Sequence, residues 1–393
     1  MVKTLSKKPY LFDFYLLIAV LYNLKSILYA RGTLLSQGIT ALFILLTVVM
    51  SAGAVFRTKM PKVLISYLLF IGVLIFYGIL LYIIGEVIYV LASGAKTGGW
   101  KYIEAIFFAN IPVFASYYLT KKGYFSEERY KIWFFVLLAV CVVSYYHHQE
   151  MALLDRSGRQ FEDEITNNEA YLFVALIPSL CIFDKKRLIQ YIGLVICLFF
   201  LITGMKRGAL LTGVIELVLL LGYNMRNESR RRKFTMGFLT ILVLVFSYYL
   251  VQHMLESSEY FVYKYQATIE EGYTSSRDVI AAQIFQYFKE DMSLLDMLFG
   301  RGAQATVKMF INYAHNDWLE LMVNQGLLGV SLYMVFFIYL FKAYRKSNAP
   351  QNRISLLLIL TVLFVPTLFS MTYACVEFSL AFYFGHCAAK IKS

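Results

Sequence analysis

The chain has 393 residues, of which 59% are hydrophobic, 17% aromatic and only 16% charged, and its mean hydropathy is +0.62. These values exclude an ordinary soluble domain and favour a membrane protein with several spans. The formal net charge of +12 would also suit a protein that binds nucleic acid. The position of the charges along the chain therefore has to decide between these two classes.

Apolar runs of span length recur from one end of the chain to the other. We predict an all-α polytopic membrane protein that forms one integral membrane domain over residues 1–393. Its spans, about twelve in number, are predicted near residues 11–30, 34–56, 63–84, 100–119, 132–147, 169–183, 188–205, 208–225, 234–254, 319–341, 354–370 and 372–389. The first run contains Asp13 and Lys25 and lacks a small-residue cleavage site, so we expect a retained span and not a signal peptide.

The basic residues collect on one side of these spans. With both termini in the cytoplasm, the inner segments hold 24 of the 37 Lys and Arg residues but only four acids, a charge of +20, and the rest of the chain carries −8. The charge is therefore a signal of orientation and predicts contact with anionic membrane lipid, with no nucleic-acid partner. All five cysteines fall in predicted spans, so neither a loop disulfide framework nor a Cys metal site is indicated.

Two cations break this charge rule. Lys206 and Arg207 lie at the outer end of the seventh predicted span, where a basic residue is costly unless it has a partner or a water-filled cavity. They are candidates for an anion site, and the alternative is a pair of interfacial side chains that reach the lipid headgroups. Gly204 and Gly208 flank the pair and would allow backbone or ligand to approach closely.

The larger outer loop, residues 255–318, contains a second outward arginine. Ser275 or Ser276 can cap a helix with Arg277 in its first turn and with Ile280, Ile284, Tyr287 and Phe288 on one face. We expect this helix to lie along the membrane surface, with the guanidinium placed to bind phosphate oxygens. A flexible Gly300-Arg301-Gly302 turn follows it, but Gly-x-Gly without a preceding strand does not predict a nucleotide site.

His315 lies where this loop re-enters the membrane. A neutral imidazole at a wet boundary can accept a proton near pH 7, although a single histidine at such a boundary is more often interfacial. Asn316 or Asp317 can cap the tenth predicted span, so that the helix dipole favours the neutral imidazole. Asp317 and Glu320 could instead orient the ring or contact substrate.

The smaller outer loop, residues 149–168, is less informative. Its acidic run at 162–164 could bind a divalent cation, but contiguous acids are more often a solvated charge run. Asn167, Asn168 and Glu169, at the start of the next span, are better candidates for contacts with sugar hydroxyls. No metal site and no cofactor is predicted.

The order of these residues resembles the O-antigen ligase and Wzy-type polysaccharide polymerase superfamily. An outward Arg207 after Thr-Gly, Arg277 opening a loop helix, a Gly-x-Gly turn, and then His315-Asn-x-x-Leu with a Gly-x-x-Gly ending at Gly329 follow one another. The likeness is specific over residues 200–335, and the N-terminal half matches only as an array of spans. Lys206 departs from the pattern, because many members have a small hydroxyl residue before the arginine.

The resemblance implies a bacterial glycosyltransferase of surface-polysaccharide synthesis, in the cytoplasmic (inner) membrane with its active site facing outward. Its substrate would be a glycan on undecaprenyl diphosphate, used without a metal or cofactor, and a chain-length regulator protein would be a further partner. By the same resemblance, Arg207 and Arg277 would hold the diphosphate and His315 would deprotonate the acceptor hydroxyl. Lys206, Arg301, Asn316, Asp317, Glu320 and Asn168 complete the predicted substrate site.

Several alternatives remain open at this stage. A polymerase that extends a lipid-linked repeat unit is favoured over a ligase that transfers O-antigen to lipid A core or protein, because nothing in the sequence specifies such an acceptor. A transporter or flippase would be expected to show inverted internal repeats, and the single large loop has no counterpart in the first half. A metal-dependent lipid-sugar transferase would need an acidic pair in the first outer loop, which has no acid.

Overall fold

The structure is a computed structural model, and it describes residues 10–29, 32–85, 87–90, 95–154, 166–226, 230–269, 277–310 and 313–391. Within these ranges the chain is almost entirely helical, as predicted. In the first part of the chain the helices are α1 (Tyr10–Asn23), α2 (Lys25–Leu28), α3 (Leu34–Arg57), α4 (Lys62–Ile84), α5 (Gly99–Asn110), α6 (Pro112–Lys121), α7 (Glu127–Leu154), α8 (Ala170–Leu176), α9 (Arg187–Thr203), α10 (Arg207–Arg226) and α11 (Arg230–Ser257). In the second part they are α12 (Glu259–Ile269), α13 (Arg277–Glu290), α14 (Leu294–Phe299), α15 (Ala305–Phe310), α16 (Asp317–Asn324), α17 (Gly326–Lys346), α18 (Pro350–Phe364) and α19 (Phe378–Ala389).

Two short 3-10 segments extend helices, Ile177–Phe183 after α8 and Val365–Leu368 after α18. The sequence analysis did not predict the small hairpin between α4 and α5. Its strands, β1 (Val87–Val90) and β2 (Ala95–Gly98), pair antiparallel with Val87 opposite Gly98. The valines, isoleucine and tyrosine of β1 favour an extended backbone, which explains why this connection forms strands.

Eight described helical segments are long and apolar enough to cross a membrane. They are Leu34–Arg57, Lys62–Ile84, Gly99–Lys121, Glu127–Leu154, Arg207–Arg226, Lys233–Ser257, Gly326–Lys346 and Pro350–Leu368. The other four predicted spans correspond to shorter apolar helices, Tyr10–Asn23, Ala170–Phe183, Arg187–Thr203 and Phe378–Ala389. The chain is thus a polytopic helical membrane protein by the length and composition of its helices, and the count of twelve spans stays a prediction.

Helix α19 lies at the centre of the bundle. All twelve of its residues are buried, which is the pattern of a helix surrounded by other helices and not by lipid. It packs backbone to backbone against α6 at Gly385, where an added Cβ would collide with the Val113 carbonyl oxygen and lie 2.9 Å from the Tyr117 nitrogen. This contact holds α19 against α6.

The tenth predicted span, 319–341, is interrupted in the structure. Helix α16 ends at Asn324, Gln325 is non-helical, and α17 begins at Gly326 with a φ of 64°. Gly326 also lies against Gly300, since an added Cβ at Gly326 would be 2.6 Å from the Gly300 nitrogen. The left-handed conformation and this close approach both require glycine, so α16 is a separate short helix and the long span is Gly326–Lys346.

We predict that Gly385→Ala destabilises the protein, because the added methyl group meets backbone atoms of α6 that cannot move independently. The thermal unfolding midpoint in detergent should fall by several degrees. Gly72→Ala is the matched control, since a Cβ added at Gly72 in α4 would have no neighbouring atom within 4 Å. An unchanged midpoint for Gly385→Ala would contradict this account of the α6–α19 contact.

Candidate active site

Helix α13 packs onto the segment that carries His315. Ile284 is fully buried in a small core with Ala305, Ala314, Leu319 and Val323. One side of α13 therefore packs on protein through Ile284, and the predicted position of the helix along the membrane surface stays a prediction. This packing holds Arg277, the first residue of α13, beside the re-entry segment.

His315 is held by the two residues that flank it. The backbone N–H of Ala314 donates to the Glu320 carboxylate at 2.9 Å. Asn316 accepts hydrogen bonds from the backbone of Trp318 and Leu319 at 3.0 and 3.1 Å, and its amide donates to the Leu368 carbonyl at 3.0 Å. The predicted cap of this helix is therefore Asn316, and its side chain is used for structure.

The backbone of His315 has a φ of 50°, in the left-handed region that residues other than glycine seldom adopt. Such a conformation costs on the order of 1–3 kcal/mol and persists only where neighbouring contacts impose it. The anchored Ala314 and Asn316 impose it here. The imidazole is thus presented by a short, tightly fixed segment.

Asp317 and Glu320 are buried and serve the fold. Asp317 accepts hydrogen bonds from the Tyr333 hydroxyl and from the Thr372 backbone N–H, both at 2.8 Å. Glu320 accepts from Thr306 and, at 3.0 Å, from the Asn324 amide, in addition to Ala314. These bonds join α16 to α15, α17 and the α18–α19 connection, so the two acids position the site, and the structure favours this role over the predicted contact with substrate.

Lys206 lies in the tight turn between α9 and α10, and Arg207 is the first residue of α10. Met205, just before them, has a φ of 51°, and the Gly204 carbonyl accepts a hydrogen bond from the Asn167 backbone at 2.9 Å. An added Cβ at Gly208 would collide with the Tyr171 hydroxyl and lie 2.6 Å from the Phe369 ring. Glycine at positions 204 and 208 therefore allows other groups to approach the backbone closely, as predicted. In the structure these groups are atoms of the protein.

The structure brings the predicted cations and the histidine together. Burial lowers the pKa of His315 from its ordinary value of 6.5, and the positive charges of Arg277 and Lys206 lower it further. Burial likewise lowers the pKa of Arg277, and neighbouring Arg207 adds to this effect. Residues from three separate segments of the chain therefore act on one another electrostatically, and the lowered pKa favours the neutral form of His315.

A cavity of about 340 Å³ opens beside this cluster. His315, Lys206 and Asn168 line it, together with Glu169, Glu377 and residues of the α18–α19 connection. The predicted Asn168 therefore reaches the cavity, whereas its neighbour Asn167 is buried and donates to the Tyr145 carbonyl at 3.0 Å. Lys206 is the one described cation among the lining residues, and the charges of Arg277 and Arg207 act close by. A histidine, a lysine and polar side chains around one cavity can bind an anionic group and accept a proton from a hydroxyl.

Arg301 has a different role from the one predicted. Its guanidinium pairs with Asp296 at 2.9 Å. The backbone N–H groups of Arg301 and Gly302 donate to the carbonyls of Val323 and Asn324 at 2.8 and 2.9 Å. The Gly300–Gly302 turn is therefore hydrogen-bonded to the end of α16, next to the junction of α16 and α17.

Sequence reasoning missed Glu377 and Cys375, which both line the cavity. Each lies in the predicted span 372–389, and the residues before Phe378 are in fact a non-helical connection. A lone carboxylate in an apolar run is a signal of function and could have identified Glu377. Tyr171 was also missed, and its hydroxyl contributes to the electrostatic environment of Arg277.

Some predictions lie outside the described residues, namely the capping serines Ser275 and Ser276 and the acidic run at 162–164. Among the residues that the structure describes, no group of three or more His, Cys, Asp or Glu side chains is placed to hold a metal ion. The absence of a metal requirement stays a prediction.

The comparisons with known proteins do not assign the chain to a family. No family model matches the chain, and no curated protein matches it significantly. The site is therefore interpreted from its own residues.

We predict that the pKa of His315 lies below 6.5 and rises in Lys206→Gln, because removal of a positive charge makes protonation of the imidazole easier. A histidine NMR titration of purified protein measures this, with His315→Gln used to assign the signal. Lys289→Gln, at the exposed far end of α13, is the control and should leave the midpoint in place. A midpoint unaffected by Lys206→Gln would contradict the proximity of the two side chains.

Proposed function

We propose that the protein is a bacterial glycosyltransferase that transfers a glycan from undecaprenyl diphosphate to a lipid-linked repeat unit. It would act as a surface-polysaccharide polymerase at the outer face of the cytoplasmic membrane. The convergence of Lys206, Arg207, Arg277 and His315 from three separate segments is the observation that carries this proposal. The likeness of the sequence to the polymerase and ligase superfamily supports it.

The proposed reaction needs only these parts. Arg207, Arg277 and Lys206 bind the diphosphate and stabilise the negative charge that develops as the bond between the anomeric carbon and the diphosphate oxygen breaks. Neutral His315 takes the proton of the acceptor hydroxyl as that oxygen bonds to the anomeric carbon. Attack from the face opposite the leaving group inverts the anomeric centre.

Fixed cations fill the role that a magnesium ion has in many enzymes acting on diphosphates. The proposed mechanism is therefore independent of metal and cofactor. The ligase alternative uses the same chemistry and differs only in its acceptor, lipid A core or protein. A transporter or flippase would bind a similar lipid, but a neutral histidine beside the cationic cluster gives it no evident advantage.

We predict that His315→Ala lowers glycan transfer by on the order of 100-fold or more, because the general base is lost. The assay uses purified protein, lipid-linked repeat units from a strain lacking this protein, and excess chelator. Binding of the lipid-linked donor should be retained. His253→Ala is the matched control, since His253 is an exposed histidine near the outer end of α11. Equal transfer by His315→Ala and wild type would remove His315 from the mechanism.

We predict that Arg277→Lys lowers transfer by on the order of 10-fold, because lysine keeps the charge but cannot form two parallel hydrogen bonds to phosphate. Arg301→Lys makes the same change at an arginine that pairs with Asp296, and most of the activity should survive. Should the two variants lose activity equally, the structural distinction between these arginines is wrong. Protein yield and unfolding midpoint are recorded for both.

A further inference from the structure

Three cavities adjoin at the outer ends of the helices, and together we call them the outer trench. The first is the 340 Å³ cavity beside His315. The second, about 830 Å³, lies among α1, α7 and the starts of α8 and α19, and the third, about 310 Å³, lies among α1, α3 and α5. Glu377 lines all three cavities, and Glu169 lines the first two. The trench therefore continues from the histidine past two carboxylates into larger space.

Charge divides the outer trench into two parts. Lys206 lines the cavity beside His315, where Arg277 also acts on the imidazole. Glu169 and Glu377 stand at the passage into the second cavity. A diphosphate is attracted to the cationic part, and no described lysine or arginine lines the second cavity, so a donor has one favourable orientation.

The second cavity has a lining that suits sugars. Its polar side chains include Asn23, Ser26, Ser144, His147 and His148, and these alternate with apolar residues from α7. Carboxylates, amides and hydroxyls can bind several sugar hydroxyls, and the apolar surface can cover the C–H faces of a sugar ring.

The third cavity adds aromatic surface to the same trench. Tyr22 and Phe108, which both line it, are stacked with their ring centroids 4.5 Å apart. Asn23 lines this cavity as well as the second, so the two share one wall of α1. Aromatic rings beside amide and carboxylate groups form a surface suited to an uncharged glycan.

We propose that the second cavity of the outer trench binds the glycan of the acceptor, and that Glu169 and Glu377 hold its terminal sugar at the passage to His315. This inference rests on the proposed transfer function and adds the site and the chemical class of the second substrate. The attacking hydroxyl then reaches the cavity that contains the imidazole, and the rest of the acceptor chain extends away from the diphosphate. Glu169 and Glu377 are acceptor-binding residues in this arrangement.

The kinetic test separates acceptor binding from donor binding. Glu377→Gln should raise the KM for the lipid-linked acceptor by on the order of 10-fold, because the amide nitrogen cannot accept a hydrogen bond as the carboxyl oxygen it replaces can, and it should change the KM for donor by less than about twofold. Glu150→Gln, at an exposed glutamate near the outer end of α7, is the control and should leave both constants unchanged. A raised donor KM with an unchanged acceptor KM would overturn the inference.

A binding test does not depend on transfer. Cys375 is exposed and lines the first and third cavities, whereas the other four cysteines are buried. Its labelling by a thiol reagent should slow severalfold in the presence of lipid-free repeat-unit oligosaccharide, and Glu377→Gln should weaken this protection. The variant Cys375→Ser gives the background.

The two tests also separate the two proposals. Transfer by wild type together with no protection of Cys375 and no effect of Glu377→Gln on the acceptor KM overturns the acceptor site and leaves the transfer function standing. Protection of Cys375 without any transfer supports the glycan site and contradicts the transfer function.

Discussion

The positive charge close to the imidazole of His315 is the constraint on which the rest of the site depends. Burial lowers the pKa of His315 and of Arg277; Arg277 and Lys206 lower that of His315 further, and Arg207 does the same to Arg277. Cations that repel one another at the edge of a membrane are costly to hold together, and a ligand with several anionic oxygens relieves this repulsion. Burial and the same positive charges favour the neutral form of the histidine, which is the form that can accept a proton.

Many of the contacts around the site hold these groups in place. Asp317 and Glu320 use their carboxylates to join α16 to α15, α17 and the α18–α19 connection. The contact of Gly300 with Gly326 holds the Gly300–Gly302 turn against the junction of α16 and α17. Elsewhere in the helix bundle, Gly385 allows α19 to pack closely against α6. A substitution at any of these positions would disturb the site without touching a substrate.

The sequence was sufficient to predict the helices and the members of the cationic cluster. Apolar periodicity located the helices, and the charge rule isolated Lys206 and Arg207 because they lie where cations are rare. The sequence could not predict the roles of Asp317, Glu320 and Arg301. An acid or an arginine near a candidate catalytic residue gives the same sequence pattern whether it binds a ligand or a partner within the protein. The break at Gly326 depends on its contact with Gly300, which lies 26 positions earlier and cannot be read from local pattern. Glu377 was missed because its run of apolar neighbours looked like the start of a span.

The central claim is that this cluster catalyses displacement of a lipid diphosphate by a hydroxyl group, with His315 as the base. The most direct measurement is the anomeric configuration of the linkage formed by purified protein, determined by NMR on the product and compared with that of the lipid-linked donor. Inversion of the anomeric centre, in the presence of chelator, is the result that the account predicts. Retention of configuration, or the absence of any new linkage with intact donor and acceptor present, would contradict it.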